Sequence, residues 1–144
     1  MSDENMWGEL AEPATERTPT SILREQAAIL NRLTKGTLIG SVEQEPTNNS
    51  TLLYSFSVTA PAINNHKIAI LTIQYSITIY PLTLTDHTTA VQRQCLNEDG
   101  FTSALKGVLS STQVRRVIYA LLIQSRDAER VRAENLVDNR RAGA

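Results

Sequence analysis

Three runs of alternating apolar and polar side chains occupy the middle of this 144-residue chain, and that period of two restricts its fold more than any other feature. Leu38, Gly40 and Val42 mark the first run, Leu52, Tyr54, Phe56 and Val58 the second, and Leu71, Ile73, Tyr75, Ile77 and Ile79 the third. Turn-forming stretches, Pro46-Thr47-Asn48-Asn49-Ser50 and then Pro61 to Lys67, separate them. The spacing therefore predicts an antiparallel meander with one apolar face. Pro81 has no N–H to give to a ladder, so the third strand ends there, bulges, or continues as an edge through Leu82 and Leu84. Val91, Arg93 and Cys95 alternate with polar neighbours, and residues 88–96 read equally as strand or loop.

Helical periods bracket this region. Thr18-Pro19 has the form of a helix start, with a hydroxyl cap followed by a proline whose missing N–H would have been unpaired anyway. Ile22, Leu23, Gln26, Ala27, Ile29, Leu30 and Leu33 then recur at three- and four-residue spacing until Gly36 supplies a stop. After Asn97-Glu98-Asp99, whose carboxylates suit the positive end of a helix, Phe101, Ala104, Leu105, Val108 and Leu109 share one face. Ser110 and Gln113 have capping-box spacing ahead of Val114, Val117, Ile118, Leu121 and Leu122. Beyond Ser125 the stripe thins to Ala128, Val131 and Leu136 among charges, which predicts a helix fraying into a solvated tail. The expected fold is α+β: an N-terminal helix, an antiparallel three- to four-strand meander, and two C-terminal helices packed on one sheet face. Its expected divisions are a flexible acidic leader (1–18), a single domain (19–125) and a charged C-terminal helical extension or tail (126–144).

Charge is uneven although the formal net charge is −1. Asp3, Glu4, Glu9, Glu12 and Glu16 face only Arg17 in the leader, whereas Gln113 to Ala144 holds seven arginines against Asp127, Glu129, Glu134 and Asp138. Such a balance falls short of the basic stripe of a dedicated nucleic-acid binder but leaves room for a local patch. Cys95 is the only cysteine, which excludes an intrachain disulfide and any zinc site needing two or more thiolates. The acidic start lacks the apolar segment of a secretory signal, and Thr, Gln and Ser interrupt the apolar stretch Ile68 to Leu84. A soluble, cytoplasmic protein without a membrane role is expected.

No catalytic set converges in the sequence. Cys95, His87 and Asp86 are the right residue types for a thiol nucleophile, its base and an orienting carboxylate, yet Asp86 and His87 are chain neighbours, and no oxyanion-type context flanks Cys95. His66 lies in the turn-like Asn64-Asn65-His66-Lys67, and Gly36 and Gly40 are too isolated to cradle phosphates. The chain is accordingly read as a non-enzyme, with no catalytic residue, metal ligand or cofactor assigned.

What remains is surface. Ser55, Ser57, Thr59, Thr72, Gln74, Ser76 and Thr78 define an outward sheet face that is polar but nearly uncharged, where exposed faces commonly carry Lys and Glu against sticking. Trp7, the only tryptophan, sits in the leader within Met6-Trp7-Gly8-Glu9-Leu10. Trp7, Ser57, Thr72, Gln74 and Ser76 are the candidate partner-binding residues. The expected function is non-enzymatic binding of another protein, and of a second copy of the chain, by surface occupation, as in a small adaptor or inhibitor of the bacterial or phage accessory type. One alternative is nucleic-acid binding through Arg115, Arg116, Arg126 and Arg130. The helix–strand–strand–strand–helix order also occurs in double-stranded-RNA-binding domains, but Asn97-Glu98-Asp99 at the second helix start would repel phosphate. A further alternative is a small-molecule or second-messenger pocket between sheet and helices, using Tyr54, Tyr75, Tyr80 and His66.

Overall fold

The computed structural model describes residues 4–10 and 17–142, with side chains described through Val137. Helix α1 (Pro19–Leu33) leads into strands β1 (Ile39–Glu45), β2 (Leu52–Ala60), β3 (His66–Tyr75), β4 (Leu82–Asp86) and β5 (Val91–Cys95), followed by helices α2 (Glu98–Leu109) and α3 (Thr112–Ala142). The strands form one antiparallel meander in the order β1-β2-β3-β4-β5. The fold is α+β as the periodicities predict, with five strands where three or four were expected.

The additional strands come from a reversal that alternation hides. The third run does not continue to Ile79: β3 ends at Tyr75, the chain turns through residues 76–81, and β4 returns beside it. Ile79 takes a left-handed backbone (φ 77°), which cannot extend a strand. Residues 91–95 then pair with β4, resolving the strand-or-loop ambiguity in favour of strand. Ser76 and Thr78 therefore belong to a turn, where their hydroxyls bond each other at 2.9 Å, and not to the sheet face expected for them.

All three helices cover the same sheet face. Ile22, Leu23 and Ala27 of α1, Phe101, Leu105 and Val108 of α2, and Val114 and Leu121 of α3 join Phe56, Val58, Ile73, Leu82 and Leu84 in one core. Each fully buried Leu, Ile, Val or Phe among them stabilises the fold by about 1.5–3 kcal/mol relative to leaving it in water. A bulge sharpens the packing: Phe56 pairs with Leu71 and Ser57 with Ala69, leaving Ile70 as the extra residue. Ile70 and Leu71 are consecutive and both completely buried, which a regular strand with one solvent face would not allow.

The helix ends follow local chemistry. Thr18 caps α1, its hydroxyl accepting from the Ser21 N–H at 3.1 Å, and Asn97 caps α2 by accepting from Gly100 N–H at 2.7 Å. Capping of α3 falls one residue later than the Ser110 expectation. Ser111 Oγ accepts from Val114 N–H, while Ser110 closes α2 by donating to the Lys106 carbonyl. Nor does α3 fray after Ser125: it runs unbroken for 31 residues, or about 46 Å. Arg132 anchors it by donating to the Ala62 carbonyl at 3.1 Å, within the 3-10 turn Pro61–Ile63. Part of the expected flexible leader, residues 1–3 and 11–16, and the end of the expected tail, 143–144, lie outside the described residues. Among the described residues no helix is long and apolar enough to cross a membrane.

Candidate functional site

With the helices on one face, pairing fixes what the other presents. Ser55 stands opposite Thr72, Thr72 opposite Thr85, and Thr85 opposite Gln92. A neighbouring row runs Leu53, Gln74, Thr83, Gln94. Both rows cross four strands, about 14 Å, without a charged side chain. Charge on this face is confined to the β1 side: Glu43 and Glu45 extend the two rows, and Lys67 of β3 pairs with Glu43.

The face is not flat. Ser55 and Ser57 sink into a crevice of about 410 Å³ walled by Glu45, Lys67, Ala69 and Thr72. Ser55 Oγ donates to Glu45 Oε1 at 3.0 Å, so the serine's hydroxyl is already engaged by a carboxylate at the rim. Gln74 is exposed and its amide donates to Thr51 Oγ1 at 2.9 Å. Of the expected partner-binding residues, the fold brings Ser57, Thr72 and Gln74 together on this face. Ser76 lies in the β3–β4 turn, and Trp7 stands 81% exposed in the leader. Thr83, Thr85, Gln92 and Gln94 belong to the surface but escaped the sequence reading, although Leu82-Thr83-Leu84-Thr85 carries the same alternation that identified the earlier strands.

The arginines expected as a nucleic-acid patch do share a surface. Positions 115, 119, 126 and 130 fall close together on a 3.6-residue helix, with 116 and 123 beside them, and all six are exposed. Tyr119 (66% exposed) and Ile123 (46%) thus lie between Arg115 and Arg116 at one end and Arg126 and Arg130 at the other. Arg130 is partly neutralised by Asp127 at 2.5 Å.

The remaining candidates are held apart. Asp86 Oδ1 accepts from both the N–H (2.9 Å) and the hydroxyl (2.6 Å) of Thr88, and His87 is exposed with its backbone N–H on the Ile70 carbonyl. Burial opposes ionisation of Asp86, but the hydrogen bonds from Thr88 and Thr89 outweigh it and hold the carboxyl below the usual carboxylate range. Cys95 faces the core opposite Leu82, and burial pushes its thiol up, only partly offset by Arg93. The expected tyrosine–histidine pocket does not gather: His66 begins β3 and Tyr75 ends it, nine residues or roughly 30 Å away. Tyr75 instead stacks on Tyr54, ring centroids 6.0 Å apart, where burial and the Tyr54 hydroxyl push its own pKa up to about 12. Among the described residues no group of three or more His, Cys, Asp or Glu side chains is placed to hold a metal ion. Comparison with known protein families, with curated proteins and with solved structures gave no match to this chain.

Proposed function

We propose that this chain is a macromolecule-binding protein that acts by surface occupation, as a small adaptor or inhibitor, and that it self-associates through the uncovered face of its sheet. The observation that carries this reading is the pair of neutral rows from β2 to β5, Ser55-Thr72-Thr85-Gln92 and Leu53-Gln74-Thr83-Gln94. Hydroxyls and amides lose little on leaving water when a partner surface returns their hydrogen bonds, whereas buried lysines and glutamates lose several kcal/mol each. Two such faces meet at about 10 Å, the ordinary separation of packed sheets. Glu43, Glu45 and Lys67 at one side then fix the orientation of the pair, since like charges must avoid each other.

A thiol reporter tests this. Cys95 is only 3% exposed, so Thr83→Cys places one accessible thiol in the chain, at the centre of the proposed contact. Its rate of modification should fall several-fold as protein concentration rises through the association range. A rate independent of concentration contradicts self-association on this face.

The Arg115, Arg116, Arg126 and Arg130 arc favours a second reading, nucleic-acid binding, because Tyr119 between the guanidiniums offers a stacking surface beside phosphate contacts. Affinity would then fall steeply with salt, and replacing Arg115 and Arg116 with alanine would flatten that slope. Binding that is absent or indifferent to salt removes this reading.

A further inference from the structure

Helices α1 and α3 cover one face of the sheet without closing over it, and the gap between them is an apolar cleft of about 180 Å³. Ile29, Leu30 and Leu33 form one wall, Val114 and Ile118 the other. Phe56, Val58 and Ile70 make the floor, and they line the cleft although they are only 3%, 1% and 0% exposed. A floor so nearly covered is reached through a slot too narrow for a helix, which is about 10–12 Å across with its side chains. One slender aliphatic chain suits it.

One end of the slot is basic. Gln26 and Leu109 also line a second cleft of about 390 Å³, between α1 and α2, whose wall carries Arg17, Lys106 and Arg115. Glu25 engages the Arg17 guanidinium, and Glu98 accepts from the Arg17 N–H at 3.2 Å. Among the described residues no carboxylate pairs with Lys106 or Arg115. The Lys106 carbonyl, a backbone acceptor at the same place, is already used twice by Ser110, whose N–H donates at 3.0 Å and whose hydroxyl donates at 2.6 Å. A deep apolar slot that ends at two unpaired cations is complementary to an anionic head on an apolar tail.

We infer that this cleft is a binding site for one free medium-chain carboxylate, with its aliphatic tail between α1 and α3 and its head against Lys106 and Arg115. From Gln26 to Leu33 the cleft follows α1 for about 10 Å, the length of a tail of roughly eight carbons. Apolar burial supplies the affinity, and the two cations orient the ligand and select an anionic head over a neutral one. The site lies on the helical side of the sheet, so it is independent of the self-association face and uses neither the tyrosines nor His66.

Calorimetric titration of the full chain with hexanoate, octanoate, decanoate and dodecanoate, each below its micellar concentration, tests this. One molecule should bind per chain, about four-fold more tightly for each added methylene until the cleft is filled, with little further gain from decanoate to dodecanoate. Octanol, which has the tail without the charge, should bind several-fold more weakly than octanoate. Leu33→Glu alters a residue that is 73% exposed yet lines the cleft, and should abolish binding while circular dichroism stays unchanged. The surface pair Lys106→Gln and Arg115→Gln should weaken octanoate to the level of octanol without altering octanol itself, and serves if Leu33→Glu disturbs folding. Failure of every one of these carboxylates to bind overturns the inference and leaves the cleft to a side chain of another protein. Affinity that is indifferent to tail length, or unchanged in the glutamine pair, overturns it equally.

Discussion

Gly40 lies directly beneath Ala27: a Cβ at Gly40 would stand 2.9 Å from the Ala27 Cα and 3.0 Å from its Cβ. Helix α1 rests on β1 at this point, and the contact is locked by the Gly40 N–H donating to Asn31 Oδ1 at 2.9 Å. Both atoms a new methyl would meet are close to the helix backbone, so no side-chain rotation relieves the clash. Gly40→Ala should cost about 1–3 kcal/mol, read as a lower urea midpoint at unchanged slope. Unaltered stability would mean that α1 sits farther from the sheet.

Ala90 holds a left-handed backbone (φ 60°) in the β4–β5 turn, a conformation that a Cβ disfavours and glycine accepts freely. The side chain is exposed, so nothing is lost in packing. Ala90→Gly should therefore stabilise the protein by about 0.5 kcal/mol, the relief of strain exceeding the added entropy of the unfolded chain. A lower melting temperature would show that the turn takes another form.

Ser125 is completely buried in α3, and its hydroxyl has no hydrogen-bond partner among the described residues. It lies between Gln124, which lines a crevice with Ile63, and Arg132, which reaches Ala62. Desolvating an unpaired hydroxyl costs about 1 kcal/mol or more, and alanine is the better helix former. Ser125→Ala should raise the melting temperature; a destabilised variant would reveal a partner for Oγ.

Asp86 links stability to acid. Its carboxyl titrates below the ordinary 3.8 when folded, so on acidification the unfolded chain takes up the proton first. The contribution is whole above the ordinary carboxylate range and is lost as pH falls through the folded value. Thr88→Val removes the 2.6 Å hydroxyl bond and should cost about 1.5 kcal/mol at pH 7. That gap should narrow below about pH 4; a gap constant with pH would contradict the role of the ionised carboxylate.

How far the fold could be read depended on which interactions are local. The α1 start at Pro19 and the first two strands are written in neighbouring residues, a hydroxyl-proline cap and clean alternation. The reversal after Tyr75 is not, because Ser76-Ile77-Thr78-Ile79 keeps the strand period and lacks Gly, Asn or Asp; only pairing with Leu82–Asp86 makes a left-handed Ile79 tolerable. That concealed Thr83, Thr85, Gln92 and Gln94, and with them half of the candidate surface. The charged stretch after Ser125 reads as tail by its polarity, yet Ala128, Glu129, Arg130, Arg132, Ala133 and Glu134 are good helix formers, and Asp127 with Arg130 forms a pair one turn apart. The arginine arc was legible as composition; its convergence around Tyr119 appears only once α3 is known to be continuous.

If the neutral sheet face joins two copies, the solution mass of the full chain, from light scattering behind a sizing column, reports it. A species of twice the 15.9 kDa chain mass is expected, dissociating when Thr72 and Thr83 are both replaced by lysine. A mass of 15.9 kDa at every concentration would contradict it.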